Sequence, residues 1–257
     1  WRLYFDLMMY NPYSLEGKTI LVVGASSGIG RAVAIECSKL GATVHLVARR
    51  EEKLNETLSM MEEGDHQIHV CDITDEEKLN ELVDTLPVLA GFSNCVGVAK
   101  VMFVKFLSKK AIEDVLETNA IAPISLTQKL VRKKKFSRNS SIVFISSLSG
   151  VYTVHYGDSL NATSKGALNA FAKSAALDLG AQGIRVNCVN PSVVATEAAF
   201  AGTILDEEEM KEKQKYFPLR RFGEPKDIAL AIIYLLSDAS TWITGINMPI
   251  DGGYSVL

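Results

Sequence analysis

The stretch that most limits what this chain can become is Thr19–Gly41, TILVVGASSGIGRAVAIECSKLG. Its first five residues are apolar or β-branched without interruption, the pattern of a strand covered on both faces. A turn rich in glycine follows, and then apolar residues recur at helical spacing until Gly41 closes the helix. Gly24, Gly28 and Gly30 at such a turn let the backbone approach a pyrophosphate, while the helix start offers free N–H groups and a positive dipole end. A strand, a glycine turn and a helix are a weak signal alone, so the rest of the chain has to support the reading.

From Lys18 onward the same alternation repeats, as expected of a parallel sheet sandwiched between helices. TVHLVA, QIHVC, LAGFSNCVG, SIVFISS, GIRVNCVN and INMPID supply further strands, making about seven in all. The last is an edge strand, since Pro249 has no N–H for a ladder. Helices are expected at 51–61, 76–86, 111–131, 159–179 and 225–236. The acidic segment near 197–218 fits neither layer and suits a lid over a site, or equally a surface insertion. Residues 1–10 read as an appended or disordered N-terminus, leaving one domain over 11–257.

Composition narrows the function. Lys and Arg total 27 against 30 Asp and Glu, a formal charge of -3, so no overall positive field draws the chain to nucleic acid or anionic membrane. The VRKKKF run closes a helix, where cations complement the dipole. No apolar run reaches the ~18 residues of a membrane span. Cys37, Cys71, Cys95 and Cys188 are widely spaced and read as reduced thiols in a cytoplasmic protein. His66 and His69 lack partners at ligand spacing, so no metal site is expected; His45 reads as structural, and His155 precedes the helix at 159–179. A small-molecule partner is the remaining default.

The end of the second strand carries Ala48, Arg49 and Arg50, where a NAD site usually places an acid on the ribose hydroxyls. An acid would repel a 2′-phosphate and a guanidinium would pair with it, so Arg49 favours NADP over NAD. After the third strand, Asp72 and Ile73 offer a carboxylate and an apolar wall for an adenine, although Asp72 could equally cap the turn at Thr74.

These residues together resemble the short-chain dehydrogenase/reductase family, most like its 3-oxoacyl-acyl-carrier-protein reductases. The family's glycine pattern is matched by GASSGIG, with Ser26, Ser27 and Ile29 between the glycines, and its Asn-Asn-Ala-Gly turn by Asn94–Gly97. Its helix asparagine is matched by Asn119, its serine by Ser147, its lysine by Lys165, and its proline turn by NPSVVATE, carrying Val194 and Thr196. The resemblance implies a single-domain, Rossmann-type, doubly wound fold that moves a hydride between a nicotinamide and a carbonyl or alcohol carbon. It also implies assembly as a homotetramer or homodimer.

In that family a tyrosine four residues before the lysine gives or takes the proton, and here Asn161 stands in its place. An asparagine amide can donate a hydrogen bond but has no proton to surrender. Val23, Cys95, Val96 and Ser192 also depart from the family's pattern. Three readings compete: a silenced form of an active enzyme, a relative that binds NADP without catalysis, or an enzyme recruiting Tyr152 or Tyr156. A reductase of sugar-type polar metabolites is a further alternative.

Overall fold

The computed structural model describes residues 10–197 and 207–256, with the Glu207 side chain outside that description. The N-terminal expectation falls largely on residues 1–9, and the lid expectation partly on 198–206, all outside the described residues. Within them, β1 (Thr19–Val23), β2 (Thr43–Ala48), β3 (Gln67–Val70), β4 (Leu89–Asn94), β5 (Phe136–Ile145), β6 (Arg185–Pro191) and β7 (Asn247–Ile250) form one sheet of order β3-β2-β1-β4-β5-β6-β7. Every neighbouring pair is parallel. The order reverses between β1 and β4, and at such a switch point the carboxyl ends of the strands leave a crevice.

Alternation along β1 divides the core. Ile20 and Val22 face the layer that holds α1 (Gly28–Lys39) and α8 (Pro225–Leu236). Leu21 and Val23 face the other, with α3 (Glu76–Thr85), α5 (Ala122–Arg132) and α6 (Ser159–Leu179). α2 (Glu51–Ser59) and α7 (Glu207–Gln214) complete the helices used below, together with α4 (Lys109–Leu116). Leu15 is wholly buried and its N–H bonds Leu40, so the packed fold is under way before β1.

Three expectations change. The helix read over 111–131 is α4 and α5 joined by a π turn, Glu117–Ile121. The fifth strand begins at Phe136 and ends at Ile145, its polar start carrying a register shift opposite Leu89 and Gly91. His69 does not stand alone, because parallel pairing of β2 and β3 brings its Nε2 to 2.9 Å from His45 Nδ1. Burial, and then the neighbouring His69, lower the His45 pKa to about 4, so the pair is neutral at physiological pH. His66 bonds the Val44 N–H and the Glu62 carbonyl. Among the described residues there is no cluster of three metal-ligating side chains, and no helix is long and apolar enough to cross a membrane. Edge strand β7 does carry Pro249, opposite Asn190.

One buried cation joins the sheet to α8. Arg185, at the start of β6, donates to the Leu235 and Ser237 carbonyls and to Ser240 Oγ at 2.7, 3.1 and 2.7 Å, collecting the carbonyls left over at the end of that helix. Replacing it strips a charged donor from acceptors that water cannot reach. Arg185→Ala is expected to lower the unfolding free energy by about 2 kcal/mol or more; a urea midpoint within error of the parent would refute this anchoring role.

Candidate active site

The glycine turn is built by close approach. Gly24 and Gly28 have positive φ, and a Cβ on Gly24 would lie 3.0 Å from the Cys95 carbonyl carbon. On Gly30 a Cβ would sit 2.1 Å from the Gly24 carbonyl oxygen, a contact that no side chain tolerates. Ser26 is buried, Ile29 is half-buried, and Ser27 is the extended N-cap of α1. Thr196 closes the other side, with its Cγ2 3.3 Å from where a Gly28 Cβ would be. Val194 beside it is fixed by a bridge to Gly223. The turn, the end of β4 and the loop after β6 therefore converge at the switch point.

Asn94 ends β4 there. It is wholly buried, and neither its amide nitrogen nor its amide oxygen has a hydrogen-bond partner. Orphaned buried amides need a reason. Together with the backbone cradle, they fit a nucleotide-type group at the mouth of the turn.

At the rim, Arg49 is exposed and lies 3.6 Å from Asp72. Asp72 accepts from the Thr74 N–H and hydroxyl, which realises the turn-capping alternative. Burial works to raise its pKa, but the Thr74 bonds and Arg49 outweigh that and hold the carboxyl below its ordinary value. Ile73 is only 5% exposed, so most of its surface belongs to the core rather than to a nucleotide wall.

The second half of the site forms around Asn119. This residue lies four residues after Val115 and eight after Ala111, on the buried face of α4, and its side chain is wholly buried. Nδ2 donates to the Val98 carbonyl (2.9 Å) and to Ser164 Oγ (3.0 Å), while Oδ1 accepts from the Val98 N–H (2.8 Å). Ser164 in turn donates to the Asn161 carbonyl at 2.9 Å. Lys165 follows on α6, its Nζ donating to the Ile145 carbonyl at 2.8 Å. A Cβ on Gly97 would lie 3.1 Å from that nitrogen, so a glycine there leaves the amine reachable from the crevice.

Burial depresses the Lys165 pKa from the ordinary 10.5 to about 8, against smaller opposing effects of Cys188 and Cys95. Those thiols are themselves pushed up to about 12 by burial, so neither is a nucleophile at neutral pH. Ser147 is half-buried just beyond β5. Its Oγ accepts from the Ser149 N–H, and its carbonyl accepts from Asn190 Nδ2 at 2.6 Å. Because Oγ is engaged as an acceptor, its proton is available to a substrate oxygen.

Neither tyrosine considered as a substitute acid is drawn into this group. Tyr152 donates to the Asn247 carbonyl on β7 at 2.5 Å, and burial raises its pKa. Tyr156 is 92% exposed in the loop before α6. Reading the sequence missed Arg31, which donates to the Ser26 carbonyl (2.7 Å) and to Thr57 while pairing with Glu56, and so braces the glycine turn. It also missed Ser164. The only signals were an arginine directly after the third glycine and a serine directly before the lysine.

A parallel sheet with a glycine cradle at its switch point, and a buried lysine across the crevice, defines a Rossmann-type nucleotide-binding protein. A family model described as enoyl-(acyl carrier protein) reductase matches residues 24–255. A tropinone reductase homologue from Arabidopsis thaliana is 34% identical over 251 residues, covering 95% of this chain and 93% of that protein. Senescence-associated protein 13 of the same plant is also 34% identical, over 95% of this chain and 92% of its own. Among solved structures, ligand-free aldohexose dehydrogenase of Thermoplasma acidophilum superposes with a TM-score of 0.83 at 26% identity, covering 95% of this chain and 96% of that one. A short-chain dehydrogenase family protein of Francisella tularensis gives 0.82 at 28%, covering 93% and 99%. The chain belongs to the short-chain dehydrogenase/reductase family, whose members are oxidoreductases using nicotinamide cofactors. The relatives' names do not repeat the narrower likeness to 3-oxoacyl-acyl-carrier-protein reductases.

The buried lysine gives a stability signature. Below about pH 8 the amine is charged in both folded and unfolded chains, and the folded state bears the full cost of burying it. Between about 8 and 10.5 the unfolded chain binds more protons than the folded one, so this group makes stability rise with pH. Relative to Lys165→Met, the parent should gain on the order of 3 kcal/mol across that window in denaturant titrations. A difference between the two that stays flat with pH would contradict the depressed pKa.

Proposed function

We propose that this chain is an NADP(H)-dependent reductase of carbonyl compounds whose proton-transfer step is impaired by Asn161. The observation that carries the reading is the joining of Gly97, Asn119 and Lys165, which places a buried cation across the crevice from the glycine turn. When bound, the nicotinamide would supply or accept the hydride. The chain's own residues would do the rest. The amides of the turn, braced by Arg31, would hold the pyrophosphate, and Lys165 would hold hydroxyls on the nicotinamide side. Ser147 would donate a hydrogen bond to the substrate oxygen, and the Asn161 amide could add a second. Neither releases a proton readily, so the alcohol product would draw its proton from solvent.

The preference for NADP rests on Arg49, an exposed guanidinium at the end of β2 next to Ala48 rather than an acid. NADPH is expected to bind more tightly than NADH by about tenfold or more, in keeping with a charge-assisted phosphate contact. Arg49→Asp should invert the order. Fluorescence titrations giving equal affinities for the two nucleotides would remove the argument.

The residue at position 161 favours one rival, a protein that binds NADP without turning substrate over. The two readings part on a single substitution. Asn161→Tyr should raise kcat for ketone reduction by about two orders of magnitude with little change in NADPH affinity. Adding Lys165→Ala should abolish most of that gain, because the phenol would lose the charge that eases its ionisation. A folded, NADPH-binding Asn161→Tyr protein that stays inert with a broad set of ketones would establish the rival.

A further inference from the structure

The loop after β4 and the loop before α6 form the two walls of a groove, and both walls start at the site. Val98 opens the first wall and is fastened on both its N–H and its carbonyl by Asn119. The second wall runs straight into the helix that carries Asn161 and Lys165. The walls are joined where the Met102 N–H donates to the Gly157 carbonyl at 2.8 Å. Gly157 has φ +76, and a Cβ there would lie 2.8 Å from Val101 Cγ1, so the approach depends on glycine. The groove encloses about 360 Å³ and is lined mainly by Phe103, Val104, Val154 and Tyr156, with Ala162 at its helical end.

Two features set its chemistry. Phe103, Val104, Val154 and Tyr156 are 55, 74, 67 and 92% exposed, and none of the lining residues is a carboxylate. A contiguous apolar surface of this kind marks a binding site. The same loop also bears Lys100 and Lys105. Further along, Lys109 and Lys110 are paired with Glu113 and Asp114. Among the described residues Lys100 and Lys105 have no ion pair, and Lys105 lies over the Phe106 ring at 4.8 Å. Asp158, at the start of α6, has its Oδ2 buried beneath the surface.

Resting on the reductase reading, we infer that the substrate is an amphiphilic ketone, with an apolar aryl or alkyl body in this groove and an anionic group directed to the first wall's segment, where Lys100 and Lys105 flank the lining residues Phe103 and Val104 in sequence. Polyol ketoses would leave the apolar walls wet and would not engage the lysines.

The test is a comparison of 4-oxo-4-phenylbutanoate, its methyl ester and xylulose as substrates with NADPH. At low ionic strength the acid should exceed the ester in kcat/KM by about tenfold, with the gap closing at high salt as surface charges are screened. Lys100→Glu combined with Lys105→Glu should erase the preference, and Phe103→Asp should depress both aryl compounds. Equal rates for acid and ester at low salt, or xylulose as the best substrate, would overturn the inference while leaving the reductase reading intact. If no compound turns over with either the parent or Asn161→Tyr, the reductase reading fails by itself. The groove is then judged by saturation-transfer NMR with the unreactive 4-phenylbutanoate: binding lost in Phe103→Asp and in the double lysine variant sustains it, and binding unchanged in both overturns it.

Discussion

The arrangement depends most on the buried amide of Asn119. Its three hydrogen bonds tie the loop after β4 to α6 through a residue carried by neither, and they use both ends of the amide. Asn119 continues the buried face of α4, four residues after Val115 and eight after Ala111, so a polar group enters the interior on a stripe that is otherwise apolar. A satisfied amide in a low-dielectric interior is rigid, and an unsatisfied one is costly, so the same bonds that stabilise the joint also fix its shape. Val98 on one side and Ser164 on the other are placed by a single side chain.

From that joint the electrostatics follow. Lys165 is next to Ser164 on α6, so its stem is fixed by the packing of that helix, and its amine reaches Ile145 at the end of β5. The neighbouring thiols stay protonated and give it no anion. An ammonium has three N–H groups, and the Ile145 carbonyl takes one of them. The lysine can therefore act on a ligand's hydroxyls as a buried cation, and it lowers the stability of the folded chain as it does so. Sites of this kind commonly trade stability for a perturbed charge. Across the crevice, Arg31 plays the opposite part: it spends its bonds on Ser26, Thr57 and Glu56 and stabilises the turn directly.

The sheet was legible because its signals are local. Apolar runs, glycines at forced approaches and helical spacing each occupy a few adjacent residues, and they gave the strands and most of the helices. The departures arise where the deciding contact is distant in sequence. The π turn at Glu117–Ile121 is an exception, since it precedes Pro123, whose missing N–H leaves the regular helical ladder without a donor. The polar start of β5, Phe136–Ser140, reads as loop until Leu89 pairs with it. His45 and His69 meet through strand register, which no spacing reveals. Tyr152 looked like a spare acid near the site, yet its hydroxyl is taken by a carbonyl of β7, ninety-five positions away. In the site, residue types in a familiar order could be read, but the bracing by Arg31 and Ser164 could not, because an arginine or serine inside a helix carries no mark of what it holds.

The geometry also bears on what Asn161 costs. Residue 161 is held through its backbone: its carbonyl accepts the Ser164 hydroxyl, and Ser164 is held in turn by Asn119. None of those bonds involves the residue 161 side chain, so its identity can change without dismantling the supports of Lys165 or of the glycine turn. This separates two properties that usually travel together. On the proposed reading, the positions of the groups that would bind a nicotinamide depend on Asn119, Ser164 and Lys165, whereas the supply of a proton would depend on the side chain at 161. On that reading an amide there would leave the first property in place and remove the second, so binding and turnover are separate questions for this chain.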